Sequence, residues 1–291
     1  MSERVGVVGG GIMGSGIAEV AARAGCQVLL REVDEAACAG SKQRITKSLR
    51  RAVASGKLAE EELDPILARI DFTQDLDALA DRELTIEAII EDEVEKSAIF
   101  STLGRIVADD AILASNTSSI PIMKLGAASG CPDRVLGIHF FNPAPVLPLV
   151  ELVPSLLTSD DTVETARKFT SERLGKQTIV ATDRAGFVVN ALLIPYLLAA
   201  IRLVESGFVS AEDVDTAMVA GCAHPMGPLA LTDLIGLDTT AAVAKSMYAE
   251  FKEPLYAAPP VLLRMVEAGL LGRKSGRGFY KYGTTSSDGR G

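Results

Sequence analysis

The chain has no tryptophan, only two histidines, only four cysteines, and fewer basic than acidic residues, 29 against 38. Each shortage removes a class of function. A net charge of −9 opposes a nucleic-acid backbone as main partner, because such surfaces need an excess of Lys and Arg. Cys26, Cys38, Cys131 and Cys222 show no Cys-x-x-Cys spacing and read as reduced, structural thiols. Cys222 and His224 lack the second pair of ligands that would complete a metal site, so no metal is expected. The most apolar helical stretch, residues 188–201, is interrupted by Asn190 and Pro195 and is shorter than the roughly 20 residues of a membrane span. The opening Met-Ser-Glu-Arg runs straight into an apolar strand, leaving no room for a secretory signal, and the expectation is a cytoplasmic protein.

What the chain does have is core. Of its 291 residues 48% are hydrophobic and 23% charged, the balance of a globular protein long enough for two domains. Residues 4–8 form a β-branched run that leads into Gly9-Gly10-Gly11-Ile12-Met13-Gly14 and then a helical pattern through Ala24. In this Gly-x-Gly-x-x-Gly the first glycine permits the tight turn, the second lets a pyrophosphate approach the backbone, and the third lets helix pack on strand. Gly9, Gly11, Ile12, Met13 and Gly14 are therefore candidate cofactor contacts. A second strand, 27–31, ends at Glu32, eighteen residues past Gly14, where a carboxylate can accept both ribose hydroxyls. Like charge would repel a 2′-phosphate there, which favours NAD over NADP, although Arg31 stands beside it.

Residues 41–59 then carry Lys42, Arg44, Lys47, Arg50, Arg51 and Lys57 and no acid, a local reversal of sign. Read as a helix packed through Ile45, Leu49 and Val53, it offers cations to an anionic ligand or is simply a solvated face. A shorter helix, 59–69, folds back on it, and the pair reads as a hairpin inserted into the β-α alternation. Alternation resumes with strands at 84–90 and 112–115, which lead into Glu91, a helix containing Lys96, and Asn116-Thr117-Ser118-Ser119. Polar residues at the carboxyl ends of strands sit where open parallel sheets bind ligands.

The segment GIHFFNPAPVLPLVELV (137–153) places two ionisable residues where packing alone wants neither. His139 closes one apolar run, and Glu151 interrupts another twelve positions later, with Asn142, Pro143, Pro145 and Pro148 supplying a turn between. Two strands side by side would bring imidazole and carboxylate together, and a carboxylate fixes the tautomer of a histidine acting as general base. After residue 183 the pattern becomes helices only, at 187–206, 211–220, 238–251 and 261–268. The expected organisation is an α/β Rossmann-type N-terminal domain, 1–183, with an inserted helical hairpin at about 41–69, followed by an all-α C-terminal domain, 184–282. Residues 283–291 are expected to be disordered.

Seven dispersed segments make the chain recognisable: GVVGGGIMGSGIA (6–18), IEAIIEDEVEK (86–96), LASNTSSI (113–120), GIHFFNPAPVLPLVEL (137–152), GFVVN (186–190), HPMGPLALTDLIGLDT (224–239) and GRKSGRGFY (272–280). Over essentially its whole length the chain resembles the 3-hydroxyacyl-CoA dehydrogenase family, and within it the stand-alone bacterial 3-hydroxybutyryl-CoA dehydrogenases. The resemblance implies that His139 is a catalytic base paired with Glu151, and that Ser118 and Asn190 hold the reacting oxygen. It implies an NAD site lined by Glu32, Glu91, Lys96, Ser118, Asn142 and Lys274, an acyl-CoA substrate with Lys57 near the CoA, and a homodimer made by the helical domain. The family usually has lysine where this chain has Pro148 and arginine where it has Ala191. The serine of the CoA-contacting helix aligns with Ser48 or Arg50. These departures bear on CoA affinity and acyl preference and leave the dyad untouched. Two other readings stay open, a same-fold dehydrogenase of a sugar acid without CoA and a non-catalytic NAD-binding protein.

Overall fold

A computed structural model describes residues 4–283; the expected disordered tail lies, apart from Gly283, outside the described residues. The chain divides into two compact units, Met1–Phe187 and Val188–Gly291. In the first, strands β1 (Arg4–Val8), β2 (Gln27–Arg31), β3 (Ile70–Thr73), β4 (Leu84–Glu87), β5 (Ile112–Ser115), β6 (Val135–Phe140), β7 (Leu149–Pro154) and β8 (Gln177–Val180) form one sheet. Its order is β3-β2-β1-β4-β5-β6-β7-β8. The first six of these are parallel, β7 runs antiparallel to β6, and β8 is parallel to β7. The run β3-β2-β1-β4-β5-β6 is the Rossmann order, and the direction of winding reverses between β1 and β4.

Both faces of the sheet are covered, which is why strands such as Val5–Val8 are apolar without alternation. On one face α1 (Ile12–Arg23) and α2 (Glu35–Ala54) pack Ile17, Ile45 and Leu49 against Val5, Val7 and Leu30. On the other, α4 (Glu93–Ile106) and α5 (Ile122–Ser129) bring Phe100, Leu103 and Leu125 onto Leu113 and Val135. Full burial of each such side chain contributes roughly 1.5–3 kcal/mol. Asp34 caps α2 through the Ala37 N–H, and Asp92 caps α4 through the Val94 and Glu95 N–H groups. The N-terminus of α5 is held from a distance, since Asp183 accepts from both Ile122 and Met123 N–H.

Several boundaries differ from expectation. Strands β3 and β8 are four residues each and carry Asp71 and Gln177, too short and mixed to announce themselves. Strand β4 stops at Glu87 rather than running to residue 90, because the Glu87 carboxylate turns the backbone by accepting the Ile89 N–H at 2.6 Å. The segment expected as one helix over 59–69 is a 3-10 turn followed by a short α3 (Leu63–Leu67).

The second unit is helical: α7 (Val189–Glu205), α8 (Ala211–Cys222), α9 (Pro228–Ile235), α10 (Leu237–Phe251) and α11 (Pro260–Glu267), with α6 (Asp160–Lys168) belonging to the first unit. The sequence reading lacked α9, whose N-terminus is capped by a distant residue, Asp215, through the Leu229 and Ala230 N–H groups. Asp233 gathers the chain end by accepting from Phe279 N–H, Tyr280 N–H and the Tyr282 hydroxyl. No described helix is long and apolar enough to cross a membrane.

Candidate active site

The carboxyl ends of β1, β2, β4, β5 and β6 share one edge of the sheet, and the residues singled out in the first unit, apart from Ser48, Arg50 and Lys57, gather there. At the end of β1 Gly9 has φ +90°, and a Cβ on Gly14 would lie 1.7 Å from the Gly9 carbonyl oxygen. Those two glycines are needed by the turn itself. Gly11 is different, since a Cβ there would meet no protein atom within 4 Å. The space it leaves opens in front of the first turn of α1, which has no side-chain cap and no acidic residue. A cofactor phosphate fits that position, held by backbone N–H groups and the positive end of the helix dipole. Glu32 is fixed at the end of β2 by the Gly10 N–H and the Ser41 hydroxyl, both at 2.9 Å. Arg44, one cation of the basic stretch, is exposed but spends its guanidinium on the Gly10 carbonyl, at 2.8 and 3.0 Å.

A second cluster joins β4 to β5. Glu87 is fully buried and accepts from the Lys96 ammonium and the Ser115 hydroxyl, each at 2.6 Å. Lys96 is itself 1% exposed and reaches Glu91 at 3.3 Å. Glu91 in turn accepts from the Thr117 hydroxyl, the Ser118 N–H at 3.0 Å and the Ser119 hydroxyl. Burial alone would raise the Glu91 pKa, but the Lys96 charge and these hydrogen bonds outweigh it and hold the carboxyl below its ordinary value. Lys96 thus sits behind Glu91, which in turn holds the loop that carries Ser118. The sequence reading missed Glu87, Ser115 and Thr117, although Glu87 gave the same signal as Glu151, an acid inside an apolar strand.

The third element is the pair at β6 and β7. His139 and Glu151 are register partners across the antiparallel ladder, and Nδ1 lies 2.7 Å from Oε2. His139 is 6% exposed and Glu151 0%. Phe141 and Phe187 meet the ring edge-on at centroid distances of 4.6 and 5.4 Å. With a carboxylate against Nδ1, that nitrogen carries the proton and Nε2 keeps its lone pair. Asn116 ties β5 to this strand by accepting the Phe140 N–H at 2.8 Å. Asn142 is exposed just beyond β6.

The remaining residues lie elsewhere. Two positions apart on a helix is about 200° of rotation, so Ser48 and Arg50 on α2 cannot face one ligand. Ser48 is turned to Glu19 of α1, whereas Arg50 and Lys57 are exposed. In the second unit Asn190 lies in the first turn of α7, and Lys274 is paired with Asp238 at 2.6 Å. Cys222 is a free, exposed thiol, His224 lies 3.2 Å from the Tyr196 hydroxyl, and no cluster of metal-ligating side chains occurs among the described residues. A cavity of about 560 Å³ in this unit is lined by Asp215, Val219, Tyr280 and Tyr282. It holds none of the residues predicted for the site. Burial and the Asp215 carboxylate push the Tyr280 phenol well up, so it stays a proton donor to Asp215.

Residues 4–184 match the family profile of the 3-hydroxyacyl-CoA dehydrogenase NAD binding domain, and residues 186–282 that of its C-terminal domain. A 3-hydroxybutyryl-CoA dehydrogenase of Mycobacterium tuberculosis is 61% identical over 281 residues, covering 96% of this chain and 98% of the relative. The crystal structure of M. tuberculosis FadB2 superposes with a TM-score of 0.96 at 61% identity, covering 97% of this chain and 99% of that one. An (S)-3-hydroxybutyryl-CoA dehydrogenase from Ralstonia eutropha gives 0.91 at 42% identity, over 98% of this chain and 100% of that one. With a glycine turn fit for a dinucleotide, a buried His-Glu pair on the same sheet edge, and these matches along both units, the chain belongs to the 3-hydroxyacyl-CoA dehydrogenase family of oxidoreductases.

Proposed function

We propose that the enzyme interconverts a short-chain (S)-3-hydroxyacyl-CoA, 3-hydroxybutanoyl-CoA, and the corresponding 3-oxoacyl-CoA, acetoacetyl-CoA, with NAD as redox partner. The observation that carries this reading is the buried 2.7 Å contact between His139 Nδ1 and Glu151 Oε2. NAD, when bound, supplies the hydride acceptor. The rest is done by the chain. His139 Nε2 takes the proton from the C3 hydroxyl as the C3 hydride leaves, and in the other direction returns it to the ketone oxygen. Glu151 holds the ring in the tautomer that leaves Nε2 free and balances the imidazolium charge. Ser118, on the loop braced by Glu91, positions the oxygen. Asn190 is assigned to the same oxygen by the family resemblance.

Glu91, Glu32 and the turn at Gly9, Gly11, Ile12, Met13 and Gly14 bind the cofactor, with Lys96 acting behind Glu91 and with Asn142 and Lys274 as further contacts. Glu32 accepts from ribose hydroxyls and repels a 2′-phosphate, so NAD is preferred over NADP. Lys57, with Ser48 or Arg50, contacts the CoA. The second unit forms a homodimer, a reading supported by the exposed apolar side chains Leu192, Leu203, Phe208 and Val219; sedimentation at 30.6 kDa in micromolar protein would contradict it.

The test is oxidation of NADH at 340 nm with acetoacetyl-CoA, run beside NADPH and beside free acetoacetate. Turnover that needs both NADH and the CoA thioester is expected. Equal turnover of free acetoacetate would transfer the reading to a CoA-independent dehydrogenase, and better use of NADPH would remove the role given to Glu32.

A further inference from the structure

A cavity of about 320 Å³ opens in the first unit between α1, the β6–β7 connection and the segment before β8. Among its lining residues are three cations, Arg23, Arg173 and Lys176, and a single acid, Glu172, which is exposed. The three cations are poorly served by the chain itself. Arg173 Nε is buried with no hydrogen-bond partner, and no other nitrogen of that guanidinium has one among the described residues. Arg23 spends one nitrogen on Glu19 at 3.3 Å, and its side chain is 28% exposed. The Lys176 ammonium donates to the Ala144 and Leu147 carbonyls at 2.7 and 2.8 Å, which leaves a third N–H. Burial and the nearby Arg23 charge depress the Lys176 pKa, as expected of cations brought together without a full set of counter-charges. The acid that Arg23 meets, Glu19, is itself buried, and burial raises its pKa above the ordinary value.

Unpaired buried donors call for an acceptor, and two guanidinium groups with an ammonium match the several oxygens of a phosphoryl group better than a single carboxylate. We infer that Arg23, Arg173 and Lys176 form a binding site for a phosphoryl group, separate from the glycine turn at the end of β1. None of the three residues belongs to the sites assigned above. Its phosphate can come from the nucleotide end of an acyl-CoA or from a free phosphate or nucleotide. Lys176 ties this site to the β6–β7 connection through the Ala144 and Leu147 carbonyls.

The experiment is calorimetric titration of the full chain with inorganic phosphate and with adenosine 3′,5′-bisphosphate at constant ionic strength. Saturable binding is expected. Arg173→Met should weaken it at least tenfold while kcat stays unchanged, and Glu19→Gln, which releases Arg23, should tighten it. Binding of the bisphosphate that acetoacetyl-CoA displaces would assign the site to the substrate's nucleotide end. Binding that acetoacetyl-CoA leaves alone would assign it to a free phosphate. Either result upholds the site. No saturable binding to the wild-type chain, or binding that Arg173→Met leaves unchanged, would overturn it. Because binding is read without turnover, this outcome is independent of the dehydrogenase reading.

Discussion

Lys96→Met removes one partner of an ion pair in which both side chains are at most 1% exposed and the charged atoms are 2.6 Å apart. Breaking a buried pair on one side typically costs about 3–5 kcal/mol, because the remaining charge is stranded. Here Glu87 keeps the Ser115 hydroxyl and the Ile89 N–H, both at 2.6 Å, which places the expected loss at the lower end, about 3 kcal/mol. That is a large part of the roughly 5–15 kcal/mol by which domains are stable. With a urea m-value of about 1–3 kcal/mol/M, the midpoint should fall by about 1 M or more. Adding Glu87→Gln to the same chain removes the stranded charge and should restore part of the loss, the non-additivity expected of two residues in contact. The assay is urea unfolding followed by circular dichroism, with KM for NADH measured on the same samples. KM should rise, since Glu91 loses the cation that helps hold it against the Ser118 loop. A Lys96→Met midpoint within experimental error of wild type would refute the reasoning, and so would a double variant less stable than either single one.

Two further predictions separate glycine roles and test a buried acid. Gly14→Ala should fail to fold normally, because its Cβ would collide with the Gly9 carbonyl, whereas Gly11→Ala should melt like wild type and bind NADH at least tenfold more weakly. Thermal melts and fluorescence titration with NADH distinguish them, and equal NADH affinity in Gly11→Ala would show that the open space serves no ligand. Glu19 has its pKa raised above the ordinary 4.5 chiefly by burial, against the Ser48 hydrogen bond and Arg23. A raised carboxyl pKa means that the folded chain binds the proton more tightly, so the contribution of Glu19 to stability is fully present below about pH 4.5 and is lost as pH rises through the folded value. Glu19→Gln should therefore raise the urea midpoint at pH 7 and leave it unchanged near pH 4. The opposite pH trend would mean that Arg23 outweighs the burial.

Much of this was legible in the sequence because the signals are local. The glycine turn, the acid at the end of β2, and the histidine and glutamate set into apolar runs are each readable within a dozen residues. The antiparallel step from β6 to β7 follows from the proline-rich turn between them. What could not be read depends on partners far apart in sequence. Asp183 caps α5 from about 60 residues away, Asp215 caps α9 from 14, and Glu87 takes the Ser115 hydroxyl from 28. Strands β3 and β8 carry β-forming residues, Ile70 and Phe72 in one and Thr178, Ile179 and Val180 in the other, but four residues are too few to fix a strand without the neighbours that pair with them. The basic stretch misled in one respect, since net charge along a segment does not reveal that Arg44 is spent on the Gly10 carbonyl.

The central claim is that His139 and Glu151 work as one general base, and steady-state kinetics of His139→Gln, Glu151→Gln and the double variant test it most directly. General bases typically contribute about 10²- to 10⁴-fold. Each single variant should lose kcat in that range with NADH binding retained, and the double variant should be little worse than the poorer single one, because residues acting as a unit are strongly non-additive. A His139→Gln enzyme with near-normal kcat, or losses that multiply in the double variant, would contradict the account.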